Sequence, residues 1–185
     1  MIAIIPAKKN SIRLKNKNLR LLNNKPLIYY SIEAAKKSKL ISRIIVSTDS
    51  KKIANLAIKL GAEAPFLRPK KYSTKNASTK DVCCHAVKFL EKKENLMIKE
   101  IIILQPTSPL RSSQDIDKAI RLFRNSKKNY LTSFTKAKPS EWFYYKNRNS
   151  GFSKILSSKT KNPQTIKQTD LLNCSIYIMK RDIVF

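Results

Sequence analysis

Short β-branched runs alternate along this chain with stretches whose apolar residues recur at helical spacing. Residues 2–7 (IAIIPA) read as a strand. Residues 26–37 follow as a helix, with Pro26 at its start and Leu27, Ile28, Tyr30, Ile32 and Ala35 on one apolar face. Residues 43–47 (RIIVS) predict a second strand. Residues 51–60 predict a helix that Gly61 stops, and residues 65–67 a short strand. Ser78 opens the next helix, with Asp81 three places on in a capping-box pattern. Residues 100–104 (EIIIL) lack polar alternation, as a strand buried on both faces does. Ser112 and Asp115 repeat the capping pattern before a helix over 116–123, and residues 130–135 form another strand candidate. This order predicts an α/β fold of three layers around a mostly parallel sheet.

The pattern changes near Lys136. Apolar residues 142–145 and 152–156 flank the turn-forming NRNSG of 147–151, which predicts a hairpin standing off the sheet. Residues 157–170 read as a polar loop, and 175–179 (SIYIM) return as a strand. One domain is expected over residues 1–185, with 139–171 as a hairpin and loop extension. No internal repeat is visible.

Composition removes several classes. With 185 residues the chain can bury a real core. No apolar run reaches the length of a membrane span. The opening residues read as a strand and lack a signal peptide's basic leader. Two glycines cannot supply a Gly-rich phosphate loop. Three cysteines without metal-finger spacing fit a reduced, cytoplasmic compartment. The net charge of +27 would suit a polyanion partner. Yet thirty of the 39 basic residues are Lys, spread along the whole chain, so a solvated basic surface is preferred over a nucleic-acid face.

Ligands of open α/β sheets sit at the carboxyl ends of the strands. Three polar segments fall there. Residues 7–18 offer cations, a hydroxyl and backbone amides to a polyphosphate. Residues 47–50 bring Asp49 to the same rim, and residues 105–111 present Gln105, Thr107 and Ser108 on a loop stiffened by two prolines.

Taken together, several motifs resemble the acylneuraminate cytidylyltransferases, also called CMP-sialic acid synthetases. They are PAKKNS at 6–11, KNL at 17–19, KPLI at 25–28, VSTDS at 46–50, GAEAPFLRP at 61–69, NASTKDV at 76–82 with His85-Ala86, and LQPTSPLR at 104–111. The resemblance is dense over roughly residues 1–135, and LQPTSPLR is its most specific part. It implies a nucleotide-diphospho-sugar-transferase-like, Rossmann-like fold, a homodimer held through the protruding hairpin, and Mg²⁺. It also implies a reaction of CTP with a nine-carbon acid sugar, giving the CMP-sugar and pyrophosphate. The LQPTSPLR loop points to N-acetylneuraminic or legionaminic acid rather than pseudaminic acid or Kdo. By resemblance, Lys8 and Lys17 serve catalysis. Ser11, Asn18, Arg68, Ala77 and Thr79 hold the nucleotide; Gln105, Thr107, Ser108 and Asn173 hold the sugar.

The chain also departs from the family's pattern. Lys8 stands where the family has Arg, and Ile12 where it has Lys, with Arg13 beside it. Asn173-Cys174-Ser175 replaces Asn-Gly-Ala, and Pro163 and Leu171 stand where arginines for the sugar carboxylate are expected. The family's metal-binding Asp-x-Asp falls past Phe185, so no protein metal ligand is assigned. Asp115-Ile116-Asp117 reads as a helix start instead. His85 reads as a packing residue, Cys83 and Cys84 as small buried apolar groups, and Trp142 to Tyr145 as a dimer interface. The alternatives are a truncated, inactive member that still binds nucleotide or sugar, and a basic nucleic-acid-binding protein.

Overall fold

The computed structural model describes residues 1–11, 14–74, 76–137, 144–147, 151–154 and 169–185. They form two compact units, Met1–Thr132 with Cys174–Phe185, and Ser133–Asn173.

The first unit is built on a sheet. Strands β1 (Ile2–Pro6), β4 (Arg43–Ser47), β5 (Glu100–Leu104), β6 (Tyr130–Ala137) and β9 (Thr169–Lys180) lie in the order β4-β1-β5-β9-β6, while β2 (Leu21–Leu22) and β3 (Lys25–Pro26) form a separate short antiparallel pair. β1 pairs in parallel with β4 and with β5, whereas β9 runs antiparallel to β5 with Ile102 opposite Ile178. Side chains of a strand alternate between faces. Ala3, Ile5, Ile44, Val46, Ile102, Leu104, Ile176 and Ile178 accordingly enter one core cluster, with residues of α1 (Leu27–Lys37), α2 (Lys51–Lys59) and α4 (Ser113–Asn125). Ile4, Ile45, Ile101, Ile103 and Met179 enter a second, with α3 (Thr79–Glu94) and α5 (Arg181–Val184). Three layers therefore enclose two cores. Both faces of the central strands are dry, which explains their unbroken Ile and Val runs.

The helix ends follow their sequence signals. Ser78 and Ser112 cap α3 and α4, each with the reciprocal bond from its own N–H to Asp81 or Asp115. Each cap contributes on the order of 1 kcal/mol. Gly61 adopts φ +87° just past α2, where its N–H reaches Ile58 O at 2.9 Å and Ala62 N reaches Ala57 O at 2.9 Å.

Three expectations need correction. Residues 65–67 form no strand; Glu63 and Leu67 make isolated bridges to Ile45 and Thr48, too few for a ladder. The helix expected over 116–123 begins at Ser113 and ends at Asn125, because the cap lies at Ser112. Tyr30 is half-buried rather than core, its hydroxyl donating to Leu22 O, while Ser31 and Ala34 take buried places.

In the second unit, β7 (Tyr144–Asn147) and β8 (Gly151–Lys154) pair antiparallel with Asn147 opposite Gly151, the hairpin that the NRNSG turn predicts. Ser133 Oγ donates to Asn173 Oδ1 at 2.6 Å. Ile12, Arg13, Trp142, Phe143 and Pro163 lie outside the described residues.

Candidate active site

The three parallel strands end together, and a cleft opens beyond their carboxyl ends. Its volume is about 200 Å³. The loop after β1 supplies Lys8 and Ser11, a 3₁₀ turn supplies Lys17 and Asn18, and the chain following the Thr48–Leu67 bridge supplies Arg68. The approach to α3 supplies Ala77, its first residue is Thr79, and the loop after β5 supplies Gln105 and Thr107. Nine of the eleven site residues expected from the sequence thus line one cavity.

The other two stand apart from its lining. Ser108 is half-buried, its N–H closing a turn on Gln105 O at 3.3 Å and its carbonyl accepting from Arg111 N at 3.3 Å. Asn173 belongs to the second unit.

Sequence reasoning passed over Tyr72, Thr74 and Val82, which also line the cleft. Val82 lies one helical turn beyond Thr79, so the capping signal at Ser78 places both at the mouth of α3.

Each loop is held by polar contacts. The N–H of Ala7 donates to Ser47 O at 2.9 Å, and the N–H of Lys9 to Asp49 Oδ1 at 2.7 Å. The buried Asn18 donates its Nδ2 to Lys8 O at 3.0 Å, fixing the backbone at a cationic residue. The N–H of Arg68 donates to Thr48 O at 2.7 Å.

The electrostatics of the cleft are one-sided. Lys8, Lys17 and Arg68 line it, and among the described residues no carboxylate does. Arg68 is only 5% exposed, and its Nε and Nη2 have no hydrogen-bond partner among the described residues. Burial lowers its pKa, opposed by the charge of Asp49. A buried guanidinium with open donors is costly unless an anion meets it. The amino end of α3 lies at the same wall, with the Asp81 carboxylate of its capping box in the first turn. Beneath it, His85 packs edge-on to Phe66 with ring centroids 4.8 Å apart and lies 5.0 Å from the Tyr72 ring. Burial, Arg68 and Lys71 all lower its pKa, so it is a neutral packing group, as its sequence context suggests. Cys83 is fully buried, and Cys84 is half-buried at the edge of the same core.

A second, more apolar cavity of about 320 Å³ shares Thr79 and Gln105 with the first. Its walls are Ile103, Tyr130, Tyr177, Met179 and Ile183, with Lys80 at its edge.

Among the described residues no group of three or more His, Cys, Asp or Glu side chains could hold a metal ion. Asp115 caps α4, as its sequence position implies. Asp117 does not cap its own helix; it is buried against Ser38, Lys39 and Leu40. Among the described residues no helix is long and apolar enough to cross a membrane.

The model of the family described as Cytidylyltransferase matches residues 2–170. The chain belongs to the cytidylyltransferase family. It is 34% identical over its whole length to "Post-translational flagellin modification protein B" of Campylobacter coli, covering 79% of that protein. It is 38% identical over 71% of its length to the CMP-N,N'-diacetyllegionaminic acid synthase of Legionella pneumophila subsp. pneumophila, covering 56% of that protein. The solved structure of a CMP:2-keto-3-deoxy-manno-octonic acid synthetase complexed with CTP superposes at a TM-score of 0.73 and 19% identity. That match covers 99% of this chain and 75% of the other, and shows the shared three-layer fold.

Proposed function

We propose that this cytidylyltransferase joins CTP to a nine-carbon acid sugar, releasing pyrophosphate. The observation that carries this reading is the cleft at the strand ends, lined by Lys8, Lys17 and Arg68, without a carboxylate among the described residues, and bounded by the amino end of α3. Such a site suits a polyphosphate.

The anomeric hydroxyl of the sugar attacks the α-phosphorus of CTP. A new P–O bond forms, the bond to the β-phosphate's bridging oxygen breaks, and the hydroxyl proton leaves to solvent. Charge accumulates on the departing pyrophosphate, where Lys8 and Lys17 stabilise it. Ser11, Asn18, Arg68, Ala77 and Thr79 position the nucleotide. Gln105, Thr107, Ser108 and Asn173 are assigned to the sugar.

Gln105 belongs to both cavities, and the apolar walls of the second suit a sugar carrying N-acyl or deoxy groups. This supports N-acetylneuraminic or legionaminic acid as the substrate. Mg²⁺ would accompany the triphosphate; the described residues offer no carboxylate set for it, and no step here is assigned to it. Homodimerisation through the second unit is favoured by exposed Phe134, Leu171 and Leu172. The cytoplasm, where CTP is made, is the expected compartment. Calorimetric titration with CTP, against ATP as control, tests the nucleotide site directly. Binding of CTP alone is expected, and equal or absent binding of both would refute the assignment.

A further inference from the structure

Arg111 is 6% exposed, and its guanidinium joins three separate elements. Nη1 donates to Ser175 O in β9 at 2.7 Å and to Gln105 O at 3.4 Å. Nη2 donates to Ser31 Oγ in α1 at 2.8 Å, and Ser31 Oγ in turn donates to Gln105 O at 3.2 Å. The carbonyl of Gln105 therefore accepts three bonds, from Arg111, from Ser31 and from the N–H of Ser108.

Arg111 makes no ion pair among the described residues, and its Nε has no hydrogen-bond partner. Burial pushes its pKa down to about 10 against the opposing charge of Asp115. A buried cation without a carboxylate partner costs stability, a cost that its bonds to Ser175 O, Gln105 O and Ser31 Oγ offset. What the planar fork supplies is direction: one nitrogen reaches the Gln105 and Ser175 carbonyls while the other holds Ser31 Oγ, tying Gln105 to β9 and α1.

We propose that Arg111 is a positioning residue that sets Gln105 between the nucleotide cleft and the adjoining apolar cavity. This rests on the assignment of Gln105 to the acid sugar. Arg111 touches neither cavity. A shift of about 1 Å in Gln105 is enough to lower the rate about 100-fold when two substrates must be aligned.

The test compares the full chain with Arg111→Met and Arg111→Lys. Three quantities are read: amide hydrogen exchange at Ser108, whose N–H closes the turn on Gln105 O; CTP affinity; and kcat/KM for the acid sugar. Arg111→Met is expected to raise Ser108 exchange and to lower kcat/KM for the sugar about tenfold or more. CTP affinity should stay within about twofold, so that a loss confined to the sugar separates positioning from a general loss of stability. Arg111→Lys, which keeps the charge and one or two of the bonds, should recover part of the loss. Unchanged Ser108 exchange in Arg111→Met would overturn the proposal, as would sugar and CTP parameters falling in equal proportion. If the unaltered protein binds CTP but turns over no acid sugar, the sugar assignment has failed, and exchange at Ser108 still decides whether Arg111 holds the loop.

Discussion

The backbone N–H of Lys9 donates to Asp49 Oδ1 at 2.7 Å across forty residues of sequence. That bond ties the cationic loop after β1 to the end of β4, so Asp49 orders the loop without lining the cleft.

Replacing Asp49 separates its two effects. Asp49→Ala removes the acceptor, and CTP affinity should fall about tenfold, since a charge-assisted bond contributes about 1.5–3 kcal/mol. Asp49→Asn keeps an oxygen acceptor and removes a negative charge near a polyanion site, so CTP affinity should hold or improve. Isothermal titration of both variants checks this. Equal losses in both would mean that the charge, not the bond, matters.

Arg68 and Lys17 should behave as ligand-binding groups rather than as supports. The Arg68 guanidinium is buried with two open nitrogens. Arg68→Met should therefore lower CTP affinity about 10- to 100-fold while the melting temperature stays level or rises. Lys17→Ala should weaken CTP less, by about tenfold, because a half-exposed lysine is a screened point charge. CTP titration and thermal melts on the same samples give both readings. A large fall in stability for Arg68→Met would recast that residue as structural.

Asp117 anchors the turn between α1 and β4. Its Oδ1 accepts from Ser38 Oγ at 2.5 Å and from Leu40 N at 3.3 Å, and its Oδ2 from Lys39 N at 3.2 Å. Burial raises its pKa, but these bonds outweigh burial and leave it below the ordinary carboxylate value. A carboxyl group lowered in the folded state adds stability at pH values above its unfolded pKa of about 3.9. That stability disappears as pH falls through the folded value. Asp117→Asn should flatten this acid limb of the stability curve, and Asp117→Ala should cost about 2–4 kcal/mol at neutral pH. Urea unfolding between acid and neutral pH measures both. An acid limb identical in the asparagine variant would rule out Asp117 as its source.

Cys83 lies fully buried, and burial pushes its thiol up to about 12 despite the nearby charge of Arg68. It should resist alkylation at mildly alkaline pH until the protein unfolds, because only the thiolate reacts. Mass spectrometry after timed labelling checks this, and rapid modification of Cys83 in the folded protein would show the second core to be more open than described.

The legible parts of this fold were those governed by local chemistry. Ser78 with Asp81, and Ser112 with Asp115, announced two helices because a cap needs only four residues. The runs IAIIP, RIIVS and EIIIL announced strands dry on both faces. Bonds between distant residues left no such trace. Nothing near Asp117 points to Ser38, and nothing near Arg111 points to Ser175, because both depend on layer packing. The antiparallel course of β9 was equally hidden, since a five-residue apolar run carries no direction. Nine cleft residues lie in family motifs on the loops around the strand ends; Tyr72 and Thr74 fall outside those motifs, and Val82 closes NASTKDV as an apolar residue with no chemistry to single it out.

The most direct test of the central claim is pyrophosphate release from CTP and Mg²⁺ with N-acetylneuraminic, legionaminic and pseudaminic acids offered in parallel. Release is expected with N-acetylneuraminic or legionaminic acid, together with the matching CMP-sugar, and none without an acid sugar. Tight CTP binding with no release from any of the three would contradict the proposed transfer.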